Sequence, residues 1–150
     1  MIINKSSRYL RLGKYAENSY GAYAIEAWVL EIQRPFNSEE ELRQRVKNGD
    51  AVRFEPRRYT ILSQDIISYE AKGKYCALEI GVAEDHEASQ AFGRSGGMIY
   101  EWIQLYCVHP ENKRVAIEVQ FSQRYYANQR DPALMDKARK VFDSLEFSAP

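Results

Sequence analysis

The chain has 150 residues, 45% of them hydrophobic, and no linker rich in Pro, Gly or Ser divides it. We therefore predict a single α+β domain, residues 1–150, that is large enough to bury one core. Basic and acidic residues each total 21, so the formal net charge is zero. This balance argues against nucleic acid and anionic membrane surfaces as partners. Glu26 interrupts the longest apolar run, so we expect no membrane span and a soluble chain.

The first seven residues lack the basic start, apolar centre and cleavage site of a signal peptide. Taken alone, this start predicts a cytoplasmic protein. A signal removed upstream of Met1 would leave a periplasmic or cell-envelope location open. The two cysteines discussed below favour the periplasm or cell envelope, with the cytoplasm as the alternative.

The first third of the chain predicts two strands. Residues 6–15 form a weak, irregular strand, and a turn-prone stretch follows it. Residues 22–33 are almost continuously apolar, which is typical of a strand covered on both sides. Pro35 ends this strand.

A short helix is predicted over residues 37–49. Ser38 is followed three residues later by Glu41, which is a capping-box pattern, and Gly49 is suited to a left-handed cap at the end. The helix should lie on the surface with a narrow contact, because only two apolar residues one turn apart can face a core. These residues are Leu42 and Val46.

Four runs rich in β-forming residues predict an antiparallel meander. The runs cover residues 59–70, 76–82, 99–107 and 115–121. Turns at 71–74 and 109–113 and a long polar loop at 83–97 connect them. The last pair of strands is expected to place Cys107 opposite Val115.

One register aligns the apolar faces of the two central strands. It places Cys76 opposite Cys107, with two further apolar pairs on the same face. These are Leu78 with Leu105 and Ile80 with Ile103. We expect the cysteines to form a disulfide if the protein is exported, whereas in a cytosolic core they would remain two buried thiols.

Residues 131–145 predict the clearest helix of the chain, with Asp131 as its cap and Pro132 at the first helical position. Its apolar stripe should lie across the inward face of the meander. The stripe consists of Leu134, Ala138, Val141, Phe142 and Leu145.

The order of these elements, with a C-terminal segment that reads Val-Phe-Asp-Ser-Leu-Glu-Phe and ends at Phe147, resembles that of the PsbP-like domains. The resemblance implies an α/β/α sandwich and a non-catalytic binding or assembly role. It brings no residue motif that can be carried over to this chain.

Few residues here suit catalysis or metal binding. His86 and His109 lie in predicted loops without a second histidine at a ligand spacing. The acidic stretch 84–87 lacks the pattern of a calcium loop, and the glycines of 93–97 precede a strand rather than a helix. We therefore predict no catalytic residues, no metal and no cofactor, and we favour a non-enzymatic role.

The outward face of the meander is the predicted recognition surface, because large aromatic residues mixed with polar ones are typical of protein-binding sites. Alternatively, the short helix or the N-terminal strand covers this face within the molecule. An anion or carboxylate pocket is a second candidate site, with scattered solvated arginines as the alternative. Its candidate residues are Arg57, Arg58, Arg124, Tyr125, Tyr126 and Arg130. The aromatic candidates are Tyr75, Tyr100, Trp102 and Tyr106.

Two functions follow from these patterns. The first is a non-enzymatic binding or assembly domain of the bacterial cell envelope that recognises a protein partner through the aromatic sheet face or a loop. The second is a small-molecule-binding or hydrolytic domain with a pocket of tyrosines and arginines between the sheet and the C-terminal helix.

Overall fold

The computed structural model describes residues 9–15, 22–88, 97–126 and 128–147. They form a six-stranded antiparallel sheet with one helix on each face, which confirms the α+β prediction. The elements are β1 (Tyr9–Tyr15), β2 (Ala22–Glu31), α1 (Glu39–Arg53), β3 (Tyr59–Ser68), β4 (Cys76–Asp85), β5 (Met98–Val108), β6 (Val115–Tyr125) and α2 (Leu134–Ser144). A 3₁₀ turn, Glu70–Lys72, connects β3 to β4.

The strands lie in the order β1-β2-β6-β5-β4-β3. The meander β3-β4-β5-β6 is as predicted, and the N-terminal hairpin extends the sheet by pairing β2 with β6. Side chains of β2 are mostly half-buried, and Val29 is 40% exposed. The prediction that this strand is covered on both sides is therefore wrong.

The register of the central pair is confirmed, since Cys76 lies opposite Cys107 and Ile80 opposite Ile103. The predicted register of β5 with β6 is wrong by two residues, because Cys107 lies opposite Ile117 and not Val115. The turn uses two more residues than expected, since the His109 amide donates to the Val115 carbonyl at 2.8 Å. A shift of two residues leaves every side chain on its predicted face.

Helix α1 continues four residues beyond Gly49. Gly49 is therefore a helical residue and not the predicted cap, and only Gly73 has a positive φ among the described glycines. The extension has a tertiary cause, because it brings Phe54 to a buried position against the sheet. Leu42 and Val46 pack on the same face, as the sequence predicted.

Helix α2 covers the opposite face and begins at Leu134 rather than at residue 131. Asp131 still stabilises the residues just before the helix, since its Oδ1 accepts a hydrogen bond from the Ala133 amide at 2.9 Å. Phe142 is fully buried, with its ring 5.7 Å from that of Phe121 in an edge-on contact. Val141 is 36% exposed, so its predicted place in the buried stripe is wrong.

Candidate binding site at the β3 edge

The predicted aromatic recognition face lies inside the molecule. Trp102 is 0% exposed, and Tyr100 and Tyr106 are each 6% exposed. The Phe54 ring at the end of α1 lies 4.6 Å from the Trp102 ring, and the Phe36 ring meets Tyr106 edge-on at 6.4 Å. The prediction of an open aromatic surface is wrong, and the alternative in which the short helix covers it is correct.

The Trp102 indole fills the space above Gly81. A β-carbon at Gly81 would overlap the indole ring, so glycine is required there. The indole Nε1 donates to Glu79 Oε1 at 2.5 Å, and Gln64 Nε2 donates to the same oxygen at 3.2 Å. Trp102 is therefore held by a side chain on the neighbouring strand as well as by ring contacts.

Polar side chains continue this buried layer beneath the C-terminal end of α1. Arg53 Nη1 donates to Gln104 Oε1 and Gln120 Oε1, each at 2.6 Å. Gln120 in turn donates to the Tyr100 hydroxyl at 2.8 Å. Burial raises the pKa of Glu118 to about 7, and nearby Arg53 opposes the rise. This network holds α1 against the sheet. The side chains that the sheet contributes to it are buried, so a partner protein cannot bind to them.

Three of the arginines that suggested an anion pocket are paired with carboxylates. Arg58 and Arg124 both donate to buried Asp85, at distances of 2.9 to 3.0 Å. Burial raises the pKa of Asp85, but these hydrogen bonds outweigh it and hold the pKa below its usual value. Arg124 also lies over the Tyr100 ring, 4.3 Å from its centroid.

Arg130 belongs to a different site, on the α2 face of the sheet. Its guanidinium makes a forked contact with Glu101, at 2.6 and 2.9 Å. Arg124 and Arg130 are thus separated by the sheet and do not form one pocket. Tyr75 and Tyr126, the two remaining predicted binding residues, are half-buried at the ends of β4 and β6.

Cys76 and Cys107 are joined by a disulfide, with their α-carbons 4.1 Å apart. The short separation is typical of a non-hydrogen-bonded antiparallel pair, and the neighbouring Val108 amide donates to the Tyr75 carbonyl at 2.9 Å. Both cysteines lie in the core beneath α2. The predicted pairing is confirmed, and its role is structural.

Among the sheet side chains that the structure describes, the most exposed large apolar ones lie on β3, at one edge of the sheet. Ile61, Leu62 and Ile67 are 41, 56 and 47% exposed. They are three of the five large apolar side chains that are exposed among the described residues. The register with β4 shifts between Ile61 and Ser63, which places Leu62 in a bulge. Beyond it, residues 64–68 form a regular strand.

Backbone geometry shows which amides of β3 point away from the sheet. The Tyr69 amide donates to the Cys76 carbonyl at 2.8 Å, so this pair is hydrogen-bonded toward β4. Because hydrogen-bonded and non-hydrogen-bonded pairs alternate along an antiparallel ladder, Ile67, Asp65 and Ser63 also bond toward β4. The amides and carbonyls that face outward belong to Gln64, Ile66 and Ser68.

A groove of about 290 Å³ runs along this edge between α1 and β3. Arg43 fixes one end of it, since its Nη1 donates to the Ser68 hydroxyl at 2.8 Å and its Nη2 binds Glu40 at 2.7 Å. The groove is lined by Glu40, Arg43, Gln44, Lys47, Gln64 and Ile66. A strand added at this edge could therefore form backbone hydrogen bonds with β3 and place side chains in the groove.

The sequence carried no signal for this site. The run 59–70 predicts a strand, but its place at the edge depends on where the N-terminal hairpin pairs. Had that hairpin paired with β3 instead of β6, the same residues would lie inside the sheet.

No family model matches the chain, and no curated protein or solved structure is significantly similar to it. The resemblance to PsbP-like domains stays a prediction. Within the described ranges, no helix has the length and apolar character needed to cross a membrane.

Proposed function

We propose that this protein is a non-enzymatic binding or assembly domain that recognises a protein partner by adding one of the partner's strands to the β3 edge. One observation carries this proposal. Gln64, Ile66 and Ser68 direct their amides and carbonyls outward beside exposed Ile67. In strand addition, such backbone groups supply affinity and alternate side-chain positions supply specificity.

The buried disulfide supports an extracytoplasmic location for this binding role. Disulfides persist in the periplasm and at cell surfaces and are rare in the cytosol. A role in the cell envelope, where a protein partner would meet the domain, is consistent with this location.

The test compares two matched variants in peptide binding. Ile67→Lys alters the β3 edge, and Val29→Lys alters a similarly exposed β-branched residue on β2. Peptides would be selected on the parent protein from a display library of random nine-residue sequences. Their affinity for each variant would then be measured by fluorescence polarisation.

We expect the selected peptides to bind Ile67→Lys several-fold more weakly than the parent and to bind Val29→Lys unchanged, since a lost cross-strand contact is worth about 0.2 to 1 kcal/mol. A library that yields no binder, or binders that respond equally to both variants, would overturn the proposal.

A further inference from the structure

We infer that the partner strand carries three consecutive residues, first β-branched and apolar, then acidic, then basic, and that it lies antiparallel to β3 with these residues opposite Ile67, Ile66 and Asp65. This inference rests on the proposed function. It names the chemistry of the peptide segment that the β3 edge selects.

The alternation of side chains along a strand decides where each one goes. A partner residue directly opposite Ile66 has its side chain on the same face of the sheet as Ile66. Ile66 lines the groove beside α1, so the partner's side chain enters that groove. The two partner residues on either side of it point to the α2 face.

Lys47 selects an acidic side chain in the groove. Arg43 is already paired with Glu40 and Ser68, whereas exposed Lys47 has no ion pair or hydrogen bond to any described residue. Lys47 follows Arg43 by four residues, a rise of about 6 Å along the helix. Two residues of strand span about 6.6 Å, so Lys47 lies alongside Ile66 when Arg43 lies alongside Ser68. A carboxylate opposite Ile66 therefore meets the Lys47 ammonium.

The opposite face selects the two flanking residues. Asp65 is exposed and has no cationic partner among the described residues, so it favours a lysine or arginine opposite to it. Ile67 is 47% exposed and favours a valine or isoleucine opposite to it. Because the strands are antiparallel, the partner's residue opposite Ile67 comes first in its sequence and the one opposite Asp65 comes last.

A second copy of this chain is a poorer occupant of the edge. Asp65 is the sole charged residue in β3, so a β3 strand from another copy brings no basic side chain to Asp65. Pairing centred on Asp65 would place two carboxylates directly opposite each other, which is destabilising. The charge pattern of the edge fits a different peptide.

The test uses two labelled nine-residue peptides on the full chain at low salt. One has Val-Glu-Lys at its centre and threonine elsewhere, and the other has Val-Lys-Glu. We expect the first to bind about five-fold more tightly, the size of effect that two exposed ion pairs give. The Lys47→Glu variant should lose that preference and should bind a Val-Lys-Lys peptide more tightly than the parent does.

Lys140→Glu, on the exposed side of α2, makes the same charge change at a residue that does not line the groove and should leave the preference intact. Equal binding of both peptides, with the loss at Ile67→Lys retained, would overturn the inference and leave the proposed function standing. Binding of neither peptide would overturn the inference, and together with a library that yields no binder it would overturn the proposed function as well. If the parent sediments as a dimer and Ile67→Lys sediments as a monomer, the edge binds a second copy of the chain. That result would also overturn the inference.

Discussion

The Glu118 carboxyl is a buried acid on the α1 face of the sheet. It is 8% exposed, and burial raises its pKa to about 7, with nearby Glu79 adding to the rise. A raised pKa means that the folded state prefers the protonated carboxyl. The stability from this preference is complete below the unfolded pKa and is lost as pH rises through about 7.

Replacing Glu118 by glutamine should therefore change the pH dependence of stability. At pH 5 the Glu118→Gln variant should have nearly the parent's free energy of unfolding, whereas at pH 8.5 it should be more stable by about 2 kcal/mol. Urea unfolding at both pH values measures this difference. Glu111→Gln, at an exposed residue of the β5-β6 turn, is the control and should show no such change. A difference between Glu118→Gln and the parent that does not vary with pH would show that Glu118 is ionised throughout.

The partners of single residues were predictable where the alternation of side chains along the strands alone determines them. Cys76 and Cys107 coincide in the register that aligns the apolar faces, and they form the disulfide. The burial of Trp102 was not predictable in this way, because it depends on Phe54. Phe54 reaches Trp102 only because α1 passes through Gly49, a residue that normally favours the end of a helix.

At the scale of elements, α2 closes one side of the core through a small number of side chains. Phe142 is 0% exposed, whereas its neighbour Val141 is 36% exposed. We expect Phe142→Ala to lower the free energy of unfolding by about 3 to 5 kcal/mol. Val141→Ala should lower it by less than about 1 kcal/mol. Urea unfolding of the two variants measures the contrast, and equal losses would mean that α2 packs through another face.

Helices and strands were predictable where their apolar residues recur with a regular period. The residues at which they begin and end were not predictable. The four strands of the meander alternate clearly, so their existence and faces agree with the structure. The offset between β5 and β6 depends on how many residues the turn at 109–114 uses, and side-chain pattern does not encode this number. Register errors of two residues are invisible to a pattern of period two.

At the scale of the whole molecule, the disulfide links two adjacent central strands across a sequence separation of 31 residues. Closing a loop of that size should stabilise the fold by about 3 to 4 kcal/mol. Unfolding with and without a reductant measures this contribution.

Thiol titration under denaturing, non-reducing conditions should find no free cysteine in protein taken from its native compartment. Two free thiols there would contradict the extracytoplasmic proposal.

The arrangement of the sheet was only partly accessible from the sequence. Local pattern predicts the meander, but the pairing of β2 with β6 joins residues about 90 positions apart, such as Ala27 with Val119, and such long-range pairing has no local signal. That pairing decides that β3 lies at the edge. The proposed binding site is therefore a property of topology.

Amide hydrogen exchange along β3, measured by NMR with and without a peptide selected on the protein, tests the central claim most directly. In the free protein, we expect the Ser63, Asp65 and Ile67 amides to exchange slowly because they bond to β4, and the outward amides to exchange rapidly. The peptide should then slow exchange at Gln64, Ile66 and Ser68. Outward amides that are already protected in the free protein, or that stay rapid when the peptide is bound, would contradict strand addition at this edge.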